Sequence, residues 1–113
     1  MPALDLPAQW LAQVLTLLQR HVPQAEVWAY GSRVSGGAQV CSDLDLVVRD
    51  AADPTRPVPG VTALREAFRD SLIPIVVDVH DWATLPPAFK PAIERGHRVL
   101  QGGTPGDVGE AMS

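Results

Sequence analysis

Two aspartates set two residues apart, Asp43 and Asp45, are the residues of this 113-residue chain whose types and spacing first suggest chemistry. In an extended strand, residues i and i+2 point to one face, so the two carboxylates share a face while Leu44 and Leu46 take the other. Adjacent carboxylates repel, each raises the other's pKa, and a divalent cation between them relieves the repulsion. Carboxylate oxygens are hard ligands and suit Mg2+ or Mn2+. An isolated Asp-x-Asp pair is more often a solvated strand end, so the upstream context matters. Gly31-Ser32 directly follows a predicted strand and is separated from Asp43 by ten residues. A glycine at a strand end lets backbone N–H groups approach an oxyanion, and a serine hydroxyl adds a donor. Arg33 supplies a cation nearby, and a helical turn opening at Ser32 would add its N-terminus. A phosphate cradle and a carboxylate pair at the ends of neighbouring strands is the layout needed to bridge a nucleotide's phosphates to a protein through metal ions. There is no Gly-Lys-Ser/Thr, so this is not a Walker loop, and Gly31, Gly36 and Gly37 are misplaced for a dinucleotide fingerprint.

The elements that must hold these residues follow from hydrophobic spacing. Leu6 to Arg20 carries apolar residues three and four apart and predicts an amphipathic helix, with Asp5 as N-cap, Pro7 in the first turn and Pro23 as stop. Strands are predicted over 26–30, 43–48 and 73–80, and a second helix over 61–72. Residues 51–60 hold three prolines and form a connection. Pro86, Pro87 and Pro91 keep any helix between Trp82 and Leu100 short. The alternation of helix and strand predicts an α/β (α+β) fold, a small mixed sheet of at least three strands with packed helices. One domain is expected over 1–101, followed by a flexible tail over 102–113.

Composition narrows the class. Nine Lys and Arg against 13 Asp and Glu give a net charge of −4, which disfavours a binder of nucleic-acid polymers. One cysteine, Cys41, excludes an internal disulfide and any multi-cysteine zinc site. The start lacks the pattern of a signal peptide and no apolar run reaches membrane-spanning length, so a cytoplasmic protein with no membrane contact is expected.

The segment GSRVSGGAQVCSDLDLVV resembles the signature of the DNA polymerase beta-type nucleotidyltransferase superfamily. In particular it is similar to the minimal nucleotidyltransferases (MNT), whose pattern reads G-S-x-A-x-G, a short spacer, then S-D-x-D-L. Gly31, Ser32, Gly36, Ser42, Asp43, Asp45 and Leu46 fill that pattern, with Val34 at its usually small position. Ile73-Pro74-Ile75-Val76-Val77-Asp78 resembles the family's strand with a third carboxylate, and Glu94 to Gln101 its closing stretch, with Gln101 where the family has tyrosine. The resemblance implies the nucleotidyltransferase (polymerase beta-like) fold. It implies that Asp43, Asp45 and Asp78 are catalytic and hold two Mg2+ ions (Mn2+ as a substitute). It also implies that Gly31, Ser32, Arg33, Gly36 and Ser42 hold the nucleotide, with ATP as substrate. Many such proteins are antitoxins that adenylylate a tyrosine of a HEPN-domain ribonuclease toxin, so a toxin partner is expected, in a hetero-oligomer or beside a homodimer. Two other readings stand beside this one: transfer to a small molecule of aminoglycoside type, and a non-catalytic antitoxin that blocks its partner sterically.

Other polar residues have plainer readings. Strand alternation puts His80 on the face of Asp78, and Asp78-Val79-His80-Asp81 suggests a His-carboxylate metal site or, more simply, a surface strand end. His97 between Arg95 and Arg98 reads as solvated, as do Arg65 and Arg69, while Trp10, Trp28 and Trp82 read as packing residues.

Overall fold

The computed structural model describes residues 4–36 and 42–102, which fold as a four-stranded mixed sheet with helices on both faces. Helix α1 (Ala8–His21) leads into β1 (Ala25–Tyr30), a short helical turn α2 (Ser32–Ser35), β2 (Leu44–Asp50), α3 (Val61–Arg69) and β3 (Val77–Asp81). Two 3-10 turns, Trp82–Thr84 and Pro87–Phe89, precede α4 (Lys90–Arg95) and β4 (His97–Gln101). The strand order is β3-β2-β1-β4. β1 pairs antiparallel with β2 and β4, and β2 pairs parallel with β3. The parallel pair requires a crossover, which α3 supplies.

Strand alternation divides the side chains between two layers. Val27, Ala29, Leu44, Leu46, Val48 and Val79 face α1 and α3, where Val14, Leu18, Leu64 and Phe68 close the main core. Each fully buried aliphatic side chain there contributes about 1.5–3 kcal/mol. The opposite face is thinner. Trp28, Val47, Trp82 and Ile93 form a small second cluster under α4. Trp28 meets Trp82 edge-on at 5.5 Å, and the Arg49 guanidinium lies against both rings.

Several sequence expectations are corrected here. Helix α1 begins at Ala8 with Pro7 as N-cap and no side-chain cap; the Asp5 amide instead donates to the Arg33 carbonyl at 2.7 Å. The helix expected over 61–72 ends at Arg69, because the chain must turn to feed β3, and Leu72 is left 88% exposed. The third strand starts at Val77, after Pro74 has removed a ladder donor. Sequence reading missed β4 because its partner, β1, lies some seventy residues away and its own charged pattern carries no strand signal. His97 stacks on Trp28 with ring centroids 3.9 Å apart and is not a solvated residue. Arg65 is exposed, as read, and it also donates twice to the Val79 carbonyl, at 3.0 and 2.8 Å, which blunts the free edge of β3. The expected tail falls almost wholly on residues 103–113 and Cys41 on 37–41, outside the described residues. No described helix is long and apolar enough to cross a membrane.

Gln101, the departure from the family ending, has a structural task. Its amide donates to the carbonyls of Val22 and Ala25, at 2.7 and 2.9 Å, and pins the α1–β1 turn to β4. Gln101→Ala is expected to cost about 1–2 kcal/mol, from two lost bonds and carbonyls left poorly solvated. Thermal denaturation should show a lower Tm with nucleotide affinity unchanged.

Candidate active site

Register assembles the site. Asp45 on β2 lies opposite Asp78 on β3 and opposite Tyr30 on β1, and Tyr30 lies opposite His97 on β4. Asp78, Asp45, Tyr30 and His97 thus form one row across all four strands, on the face away from α1 and α3. Asp43 is exposed and precedes β2 by one residue, so it belongs to the entering loop and not, as the alternation argument had it, to the strand itself. Its charge still reaches Asp45.

Burial and the charges of Asp78 and Asp43 together push the Asp45 carboxyl above its ordinary value, with His80 opposing them. Burial, then Asp45 and Asp78, push the Tyr30 hydroxyl up to about 12, so it stays protonated at neutral pH. The His80 Nε2 lies 3.3 Å from the Asp78 Oδ2, as alternation predicts. Asp81 is different. It points to the opposite face, where its buried carboxylate accepts from the amides of Val58 (2.8 Å) and Ala83 (3.2 Å), so it anchors the 51–60 connection and is no partner of His80.

The Gly-Ser loop is built around one close approach. Gly31 adopts φ +84°, and a Cβ there would sit 2.5 Å from the Asp45 Oδ2. Only glycine combines that backbone with that contact. Ser32 opens α2, and the amides of Val34 and Gly36 donate to the carbonyls of Gly31 and Ser32, each at 3.0 Å. Gly36, at φ +100°, closes the turn and is exposed with free space around it. Arg33 does not extend into the site. It is 3% exposed, its guanidinium donates to the carbonyls of Ser42 (3.1 Å) and Asp5 (2.8 Å), and it lies near the Trp10 ring. It ties the two ends of the loop to the N-terminal segment.

Among the described residues, no three His, Cys, Asp or Glu side chains close on one point as a ready-made metal cage. The donor set nevertheless fits Mg2+. That ion typically takes one or two carboxylates together with substrate phosphates and water, and burial with the charges of Asp78 and Asp43 disfavours the Asp45 carboxylate, a penalty a cation would relieve.

Beside the carboxylates is a cavity of about 550 Å3, bounded by Tyr30, Gly31, Asp45 and His80 below and by Leu85, Phe89 and Ile93 above. Tyr30 and this apolar wall were not singled out from the sequence; the one available signal was an aromatic residue directly before Gly31. A larger cavity, about 900 Å3, opens by Ala25 and Asp50, at the opposite ends of β1 and β2 from the row of carboxylates.

Comparison with known proteins adds the family. No protein-family model matches the chain. The probable protein adenylyltransferase MntA of Haemophilus influenzae is 41% identical over 98 residues, covering 87% of this chain and 84% of that protein. A crystal structure of a toxin–antitoxin with AMP-PNP superposes with a TM-score of 0.65 at 19% identity, over 81% of this chain and 73% of that one. A mutant of the toxin–antitoxin MntA-HpeT gives 0.64 at 17% identity with the same coverage. These two establish the shared fold. With 41% identity sustained over most of both chains, this protein belongs to the MntA family of protein adenylyltransferases, a family of nucleotidyltransferases.

Proposed function

We propose that the chain transfers AMP from ATP to a hydroxyl of a partner protein, with Mg2+ held by Asp43, Asp45 and Asp78, and that it thereby acts as the antitoxin of a toxin–antitoxin pair. The observation that carries this reading is the row that sets Asp45 between Asp78 and Tyr30, with Gly31 packed against the Asp45 carboxylate. The relative named a protein adenylyltransferase and the toxin–antitoxin bound to AMP-PNP support the donor and the partner class.

Each residue then has a task. The backbone at Gly31, the Ser32 hydroxyl, Gly36 and Ser42 receive the triphosphate, while Arg33 fixes the loop from beneath. Asp45 and Asp43 face the phosphorus under attack. Asp78 lies on the edge strand β3 with its carboxylate half exposed, where a second protein can present a hydroxyl. Asp78 takes the acceptor's proton, and His80 holds the carboxylate in place. Mg2+, when bound, lowers the acceptor's pKa and neutralises charge on the departing pyrophosphate. The acceptor oxygen forms the new bond to the α-phosphorus as the bond to pyrophosphate breaks. A tyrosine of a HEPN ribonuclease toxin is the acceptor this reading favours, in the cytoplasm, where ATP is available.

The test is direct. The chain, the toxin encoded beside it, ATP and Mg2+ are incubated and the intact masses measured. The toxin is expected to gain the mass of AMP, and the gain to vanish with Asp43→Asn. A tight complex with no change in mass would support steric blocking instead, and transfer to an added aminoglycoside would support a small acceptor.

A further inference from the structure

We infer that the 550 Å3 cavity beside the carboxylates seats the nucleobase of the donor, with Phe89 as the face on which the base stacks. The inference rests on the donor assignment above and adds to it a part of the substrate and a residue that reads it.

Position is the first argument. The cavity borders Gly31 and Asp45, which face the phosphates, but neither Asp43 nor Asp78 lines it. It therefore adjoins the phosphate side of the site, and His80 of β3, the neighbour of Asp78, also borders it. Its size lies within the range of small-ligand pockets. Chemistry is the second argument. The upper wall is made by Leu85, Phe89, Ala92 and Ile93, which offer apolar surface and no side-chain hydrogen-bonding group. Such a wall suits the faces of a planar ring.

Phe89 supplies the third. It is 59% exposed, whereas Trp28 and Trp82 on this face are buried and Tyr30 is partly buried. A single exposed apolar side chain is ordinary, but this one lines a cavity that opens on Asp45. It ends a turn entered through Pro86 and Pro87, whose fixed backbone angles restrain the path of the chain that carries it. Leu85 and Ile93 are anchored in the small core with Trp82, so the wall is already formed. Stacking a base on such a ring changes affinity by about tenfold when the ring is removed.

Calorimetry on the free chain with Mg2+ tests this, using ATP and inorganic tripolyphosphate as probes. Phe89→Ala is expected to weaken ATP about tenfold and leave tripolyphosphate unchanged, and Phe89→Trp to restore ATP. Ala92 is exposed on α4, so Ala92→Phe should fold normally, fill the cavity and weaken ATP selectively. Equal loss for both probes overturns the inference, as does an unchanged ATP affinity with a raised KM for the acceptor protein, which would give the cavity to the acceptor. If the wild-type chain binds no ATP, the donor assignment itself falls. If it binds ATP and the variants match it, only the base pocket falls.

Discussion

Asp45→Asn is expected to reduce AMP transfer on the order of a thousand-fold and, in the Mg2+-free protein at neutral pH, to raise the melting temperature. On the proposed function, the first effect follows from removing a ligand to the metal, which would stabilise the transition state by several kcal/mol, with each 1.36 kcal/mol worth tenfold in rate. The second follows from linkage. The folded protein holds the Asp45 proton more tightly than the unfolded chain, because burial and the charges of Asp78 and Asp43 disfavour the carboxylate. Below the ordinary value of 3.8 both states are protonated and the group contributes nothing. As pH rises through 3.8 the unfolded state ionises first, so stability is lost until the raised folded value is passed. Above it the penalty is constant. Asparagine keeps the shape and removes the charge, so the variant escapes the penalty. The gain in Tm should therefore appear at pH 7 and vanish near pH 3. Millimolar Mg2+ should stabilise the wild type but give little to the variant, since a ligand stabilises only the state that binds it. A variant that melts lower than the wild type at pH 7 would contradict the account of the charge, whatever its activity.

Gly31→Ala should be nearly as damaging, by another route. Its backbone lies in a region that residues with a Cβ rarely enter, and its new methyl would stand 2.5 Å from the Asp45 Oδ2. The strain costs about 1–3 kcal/mol, and the carboxylate must also move off its position. Transfer is expected to fall by about a hundred-fold or more, with much of the Mg2+-induced rise in Tm lost. Gly36→Ala separates the two causes. That glycine also has positive φ, but nothing lies within 4 Å of its built Cβ. It should pay the backbone strain alone, melting lower while keeping its Mg2+ response. If Gly31→Ala responds to Mg2+ like the wild type, the close contact with Asp45 is not what fixes the metal ligand.

The parts legible in the sequence are those set by local rules. Strand β1 and the Gly31-Ser32 turn follow from β-favouring residues ended by a glycine, and α1 follows from its three-and-four spacing. The His80–Asp78 contact follows from the two-residue period of a strand. The expectations that failed depend on distant partners. Arg33, read as a cation near the phosphates, is held by carbonyls at Asp5 and Ser42. His97 finds Trp28 only because β4 pairs with β1.

By itself the sequence determined the chemistry that is available: a flexible glycine beside a hydroxyl, and aspartates at spacings that suit a divalent ion and a nucleotide. Periodicity and backbone freedom are properties of neighbouring residues, so they can be read from neighbours. Only the tertiary structure decided that Asp78, Asp45, Tyr30 and His97 share one row, that Gly31 touches the Asp45 carboxylate, and that Phe89 stands over an apolar cavity. Those relations depend on strand register and on the packing of α4 across the sheet, which bring together residues from Tyr30 to His97 that no local rule connects.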